Sequence, residues 1–264
     1  MQNLTTVRTG KWVQFPLLIF VALLLWSFTP AVTTFNTTGS VTSLYNDTTT
    51  SPDGSEKITH NYTPRSFLSE KMEVYDSLHL DEMGLSRKVF ELALKGMSKL
   101  VKNNRVKENI ISIIDFSQPS VNRRLYVIDL ENYQLLFNTW VAHGMRSGKT
   151  EARYFSNKMS SWKSSLGFYV TGDVYNGSNG YSLKLVGIER GINDYALRRG
   201  IVMHGADYVN EEYIESQGYI GRSRGCPAVA PEICRPLIDQ VKEGTCLFIY
   251  HPSSSYRSLS KMVK

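Results

Sequence analysis

Apolar positions change their spacing several times along this chain, and each change marks a different kind of segment. Residues 15–28 form an apolar run of about 14 residues, preceded by Arg8 and Lys11. A basic stretch followed by a short apolar core has the layout of a secretory signal, and the run is shorter than the roughly 20 residues a membrane-spanning helix needs. No clean Ala-x-Ala site follows Phe28, so residues 1–30 read either as a signal peptide or as an uncleaved signal anchor. Residues 31–65 are rich in Thr, Ser, Asn, Asp and Gly, with few large apolar side chains. Such a composition buries too little surface to offset its ordering entropy and predicts a disordered tether.

From residue 66 to 108 the period becomes helical. Phe67, Met72, Val74, Tyr75 and Leu78 share one face, and Leu85, Val89, Phe90, Leu92, Ala93, Leu94, Met97 and Leu100 share a second after the break at Gly84. Ser86 is the expected N-cap of the second helix. From residue 109 to 252 the pattern is that of strands: 110–115, 124–129, 134–143, 167–171, 183–187, 201–204 and 245–250, separated by Gly, Asn, Ser and Asp turns. One helix interrupts them at 231–242, with Pro231 in its favourable first turn. Many short strands with few helices predict a mainly β fold, a β-sandwich or a partly open barrel of mixed sheets, preceded by an N-terminal helical segment. Residues 253–264 read as a tail.

Composition narrows the class. Of 264 residues 42% are hydrophobic and 11% aromatic, enough for a real core, and the net charge of +6 is spread without a long basic tract. That balance predicts no nucleic-acid partner and at most weak attraction to anionic surfaces. Three cysteines in an exported chain leave at least one thiol unpaired. Either Cys234 pairs with Cys246, or all three are free and the latter two are small buried hydrophobes.

The chemistry concentrates in two turns, Met203-His204-Gly205 and Ser223-Arg224-Gly225-Cys226-Pro227. Cys226 stands on a Gly-flanked turn 22 positions after an imidazole that ends an apolar strand. A thiol needs a base or a cation to become a good nucleophile, and His is the usual partner. The small residue before it lets backbone N–H groups approach a developing oxyanion. His143, beside Gly144 at another strand end, reads either as a second wall of the cleft or as a structural residue. The loop from Asp207 to Arg222, with Tyr208, Tyr213 and Tyr219, reads either as a lid or as an ordinary surface loop. Zinc sites want close ligand pairs, which Cys226 and Cys234 do not supply, and no phosphate-binding Gly-rich motif occurs, so neither metal nor nucleotide is expected.

A strand ending in His204-Gly205, then a loop, then Ser223-Arg224-Gly225-Cys226, resembles the L,D-transpeptidase (YkuD-type) catalytic domain, in the branch of murein L,D-transpeptidase catalytic domain family proteins of Gram-negative bacteria. The stretches 115–117, 124–130, 141–144, 164–169 and 225–229 fit the same branch, and the likeness covers about residues 85–251. The sequence departs where better-known members carry His between Ser and Gly and a polar residue soon after Cys; here stand Arg224 and Pro227-Ala228.

The resemblance implies a periplasmic, cofactor-free cysteine acyltransferase acting on peptidoglycan stem peptides. No obligate protein partner is implied, and anchoring would come only through the N-terminal apolar segment. Cys226 would form a thioester with release of D-Ala, and His204 would shuttle protons. N–H groups of Gly225 and Cys226 would bind the oxyanion, and an amine acceptor would take the acyl group to give a 3→3 cross-link. Ser223 and Arg224 would orient His204 or bind a stem carboxylate, and Arg224, His143, Tyr208 and Gly205 would line the substrate. Hydrolysis of the stem by water, or a non-catalytic envelope-binding module on the same fold, are the alternatives.

Overall fold

A computed structural model describes residues 64–264, Glu108 excepted. The expected signal or anchor at 1–30 and nearly all of the tether at 31–65 lie outside the described residues. Two helices open this part, α1 (Pro64–Ser77) and α2 (Arg87–Lys102). Strands β1 (Ile110–Asp115), β2 (Leu125–Asp129), β3 (Gln134–Thr139), β4 (Gly167–Gly177), β5 (Gly180–Gly187) and β6 (Val202–Gly205) follow. The chain closes with α3 (Glu211–Gln217), β7 (Ala228–Val229), α4 (Pro231–Val241), β8 (Cys246–Tyr250) and α5 (Ser254–Leu259). Among the described residues no helix is long and apolar enough to cross a membrane.

All eight strands belong to one mixed sheet, in the order β3-β2-β1-β8-β4-β5-β6-β7. Of the two expected layouts, the barrel is the one formed. Its two ends approach each other where Ala142, just past β3, bridges Ala228 of β7, so the sheet is nearly closed. The pairs β1–β8 and β6–β7 are parallel and the rest antiparallel. Every residue of β1, β2 and β8 is buried, as a strand covered on both faces requires, which is why apolar side chains dominate them, with Ser112, Asp115 and Asp129 as the polar exceptions.

Helix α2 lies across the sheet. Its buried face (Val89, Phe90, Ala93, Leu94, Met97, Leu100) joins one core with the central strands. Gly96 lets it seat there, because a Cβ at that position would stand 2.0 Å from the Phe168 ring, which itself stacks on Phe248 at 4.2 Å. Ser86 does occupy the N-cap, but its hydroxyl makes no capping bond; its carbonyl accepts from Val89 and Phe90 instead. The helices therefore share a core with the strands, and packing shows no boundary at residue 108.

Several elements differ from the sequence pattern. β3 stops at Thr139, four residues early, because its onward hydrogen bonds leave β2: Ala142 pairs with Ala228, and the His143 carbonyl accepts from the Ser223 N–H (3.0 Å). β4 runs on to Gly177 past a register shift between Thr171 and Val174. Such a bulge resets the in–out alternation that pattern reading depends on. The residues taken for a tail form α5 and fold back onto the core. Lys99 of α2 donates to the carbonyls of Lys261 (2.6 Å), Met262 and Lys264 (both 2.9 Å). Tyr256 and Ser260 donate to the buried carboxylate of Glu189.

Candidate active site

Cys226 sits on a turn that its own neighbours stitch together. The Ser223 hydroxyl donates to the Cys226 carbonyl (2.6 Å) and accepts from the Gly225 N–H (3.0 Å). Ser223 therefore braces the thiol turn and does not reach the imidazole. It also occupies the Gly225 N–H, which removes that group as an oxyanion donor. Among the described residues the Cys226 N–H has no acceptor, so it is the donor left open. Gly225 is required here twice over. Its φ of +124° lies in the region that L side chains rarely adopt, and a Cβ would meet the Lys163 carbonyl oxygen at 2.8 Å. Gly144 presses on the same turn, because a Cβ there would lie 3.0 Å from the Gly225 Cα.

The thiol is 9% exposed, and its proton points to the Gly200 carbonyl (Sγ–O 3.6 Å). Burial pushes its pKa up, against the Val202 backbone and the positive charge of Arg199, which favour the thiolate. Arg199 was legible in sequence only as part of a small basic cluster. Its guanidinium is fixed behind the turn by donating to the carbonyls of Ser156 (2.7 Å) and Lys163 (2.6 Å) and to the hydroxyls of Ser161 and Ser165.

His204 stands on β6 between Ser182 of β5 and Ala228 of β7. It is two residues beyond Val202, whose backbone faces the Cys226 sulfur, a Cα separation of about 7 Å along a strand. Its ring and the sulfur are not hydrogen-bonded to each other. His204 Nδ1 donates to the Gly205 carbonyl (2.8 Å), which in the neutral ring leaves Nε2 as the basic atom. Burial lowers the pKa of this imidazole while it raises that of the thiol. Burial thus favours the uncharged form of both groups.

His143 does not reach open space in this geometry. It is fully buried, accepts from Arg124 Nη2 through Nδ1 (2.8 Å), and its pKa is lowered to about 3 by burial and then by the Arg124 charge. The 143–145 backbone pairs with Ser223 on both sides, through Ser223 N–H to the His143 carbonyl and Met145 N–H to the Ser223 carbonyl. Arg124 organises that segment and was read only as the first residue of a strand. Fully buried, it donates to the Val141 carbonyl (3.0 Å from Nη2) and the Gln118 carbonyl (2.8 Å) and lies over the Phe116 ring. Burial lowers its pKa to about 9, and it remains a cation at neutral pH.

Arg224 is exposed and lies over the Trp162 ring (5.6 Å), which Arg146 flanks at 4.8 Å, so it faces the outer rim of the thiol turn and not His204. The loop after Gly205 contains the short helix α3, capped by the Asn210 side chain and ended by Gly218 at φ +80°. Its base is clamped where Gly221 donates to the Tyr208 carbonyl (2.7 Å). Tyr208, Gly205 and His204 face an open cavity of about 640 Å³, with Tyr213 across from them. Tyr219 packs elsewhere, against Lys149 and Arg222. All three cysteines are free and buried. His251 is partly buried against Phe155 (5.0 Å). Among the described residues no group of three or more His, Cys, Asp or Glu is placed to hold a metal ion.

A nearly closed mixed sheet carrying a Ser-braced Gly-Cys turn beside a strand-end histidine defines a mainly β domain with a Cys–His site. The family model for the L,D-transpeptidase catalytic domain matches residues 81–250, more than half of the chain, and the chain belongs to that family. Among solved structures it is similar to L,D-transpeptidase 3 from Mycobacterium tuberculosis (11% identity, TM-score 0.35, covering 54% of this chain and 61% of that one). It is also similar to an L,D-transpeptidase from Mycobacterium smegmatis (13%, 0.34, 54% and 59%) and to the helical cell shape determining protein Pgp2 from Campylobacter jejuni (14%, 0.37, 55% and 49%). The chain spans about half to three-fifths of the length of these proteins. No curated protein matches it.

Proposed function

We propose that this protein is an exported L,D-transpeptidase that acylates itself on Cys226 with a peptidoglycan stem peptide. The observation that carries the reading is the Cys226 thiol set against the Gly200 carbonyl and the Val202 backbone, with His204 two residues beyond Val202 on β6. Because burial favours the uncharged thiol and imidazole, attack is coupled to proton transfer. Cys226 Sγ attacks the carbonyl of the L-centre of the third-position diamino acid while His204 takes the thiol proton. The Cys226 N–H holds the oxyanion, and Arg199 favours the sulfur as it loses its proton. His204 returns the proton to the departing D-Ala amine as the C–N bond breaks. An acceptor amine then attacks the thioester, giving a 3→3 link and restoring the thiol.

Incubating the full chain with a stem tetrapeptide and weighing the intact protein tests this. The expected result is a mass gain equal to the acyl tripeptide, absent in Cys226→Ala. Acylation that persists in that variant would move the nucleophile elsewhere. Supplying acceptor amines separates transfer, which yields dimers, from hydrolysis, which yields only trimmed stems.

A further inference from the structure

Arg199, behind the thiol turn, also ties down the segment 154–163 through its bonds to Ser156, Ser161 and Lys163. That segment lies against the turns at 190–198. Asn157 Nδ2 donates to the Asp194 carboxylate (2.7 Å), and the Tyr195 N–H donates to the Asn157 side-chain oxygen (3.1 Å). Between the two segments is an open cavity of about 460 Å³, walled by Lys158, Met159, Arg190 and Tyr195 among others. Its one acid, Asp194, is engaged a second time by the Gly191 N–H (2.8 Å).

The cations here are uncommitted. Lys158, Arg190 and Arg198 are exposed, and among the described residues none of the three side chains donates to an acceptor. Arg198 lies over the Tyr195 ring at 5.2 Å, and Lys163 over the exposed Tyr154 ring at 5.5 Å. Large apolar side chains stand between them: Met159 is 52% exposed, Leu197 50% and Tyr195 44%. Apolar side chains exposed singly are ordinary on a protein surface. Here they are grouped in two adjoining segments and interleaved with unpaired cations.

We propose that this patch docks on a phospholipid bilayer bearing anionic headgroups. Lys158 and Arg190 meet headgroup phosphates at the cavity, while Met159, Tyr195 and Leu197 enter the interface. Aromatic rings settle at headgroup level, and Lys and Arg are drawn to anionic lipid there. Apolar area buried below the headgroups adds to that attraction. A dissolved polyanion would satisfy the cations equally well but would leave Met159 and Leu197 in water, so the observations favour a bilayer. This contact belongs to the folded domain, is separate from anchoring by residues 15–28, and stands whether or not Cys226 is acylated. Because Arg199 and the Lys163 carbonyl fasten the segment to the Gly225 turn, docking also holds the thiol site near the membrane.

The test uses the full chain with vesicles of phosphatidylcholine alone or of phosphatidylcholine mixed with phosphatidylglycerol. Acetylation by acetic anhydride, read lysine by lysine by mass spectrometry, reports which face is covered, so residues 15–28 do not decide the result. Lys158 should react at least threefold more slowly with the anionic vesicles than with the neutral ones, while the exposed Lys88 of α2 is unchanged. Each Lys or Arg near an anionic bilayer strengthens binding about fivefold, so Arg190→Gln with Arg198→Gln should erase the slowing. Arg190→Lys with Arg198→Lys should keep it, and Met159→Ser with Leu197→Ser should remove at least half. No slowing, equal slowing in the Gln pair, or equal slowing in the Ser pair overturns the proposal. Slowing by dextran sulfate as strong as that by anionic vesicles also overturns it, in favour of a polyanion site.

Discussion

Replacing His143 with Asn should flatten the acid limb of the protein's stability. Asn keeps an acceptor for Arg124 and removes the group that titrates. In the folded chain His143 resists protonation down to about pH 3, because burial and the Arg124 charge both oppose a second positive charge. In the unfolded chain it protonates near its ordinary value of 6.5. The unfolded state therefore binds the extra proton first. The stabilising contribution is complete above pH 6.5 and is lost as the pH falls from there toward 3. Between pH 6.5 and 4.5 these two values give a loss of about 2 kcal/mol from this one residue. Urea unfolding at half-unit intervals from pH 7.5 to 4.5, for both proteins, yields the difference curve. Carboxylates and the other histidines are common to both chains and cancel. A gap between the curves that narrows by about 2 kcal/mol as the solution is acidified supports the argument. Parallel curves would show that the buried imidazole is not held neutral.

Gly225→Ala places a side chain at φ +124° and 2.8 Å from the Lys163 carbonyl oxygen. A loss of roughly 1–3 kcal/mol in urea unfolding is expected, together with slower iodoacetamide labelling of Cys226 as the turn shifts. Arg199→Met removes the fixed cation that favours the thiolate. The pH midpoint of Cys226 alkylation should rise relative to the parent, and an unchanged midpoint would exclude Arg199 from thiol activation.

The parts of the fold that depend on local periodicity were legible in the sequence. The face of α2 around Val89, Phe90, Ala93 and Leu94 and the apolar runs of β1, β2 and β8 carry their own spacing, and the Gly-flanked Cys226 and strand-end His204 stand out as chemistry. What escaped notice depends on contacts between distant segments. β7 is a two-residue strand that exists only because β6 lies beside it. α5 is held by Glu189 and Lys99, more than 60 residues away. A charged residue beside an apolar strand looks like a surface boundary, and nothing within several residues of Arg124 announces that its partners are the carbonyls of Gln118 and Val141.

β8, the last strand in the chain, lies in the middle of the sheet between β1 and β4. Until residues 246–250 arrive, β3-β2-β1 and β4-β5-β6-β7 are linked at the Ala142–Ala228 and Gly144–Ser223 bridges, while the facing edges of β1 and β4 stay unpaired. A chain delivered from its N-terminus cannot join β1 to β4 until this strand arrives. Shortening the protein by its last twenty residues would thus cut it through the centre, whereas the same loss from an ordinary tail would trim only its margin.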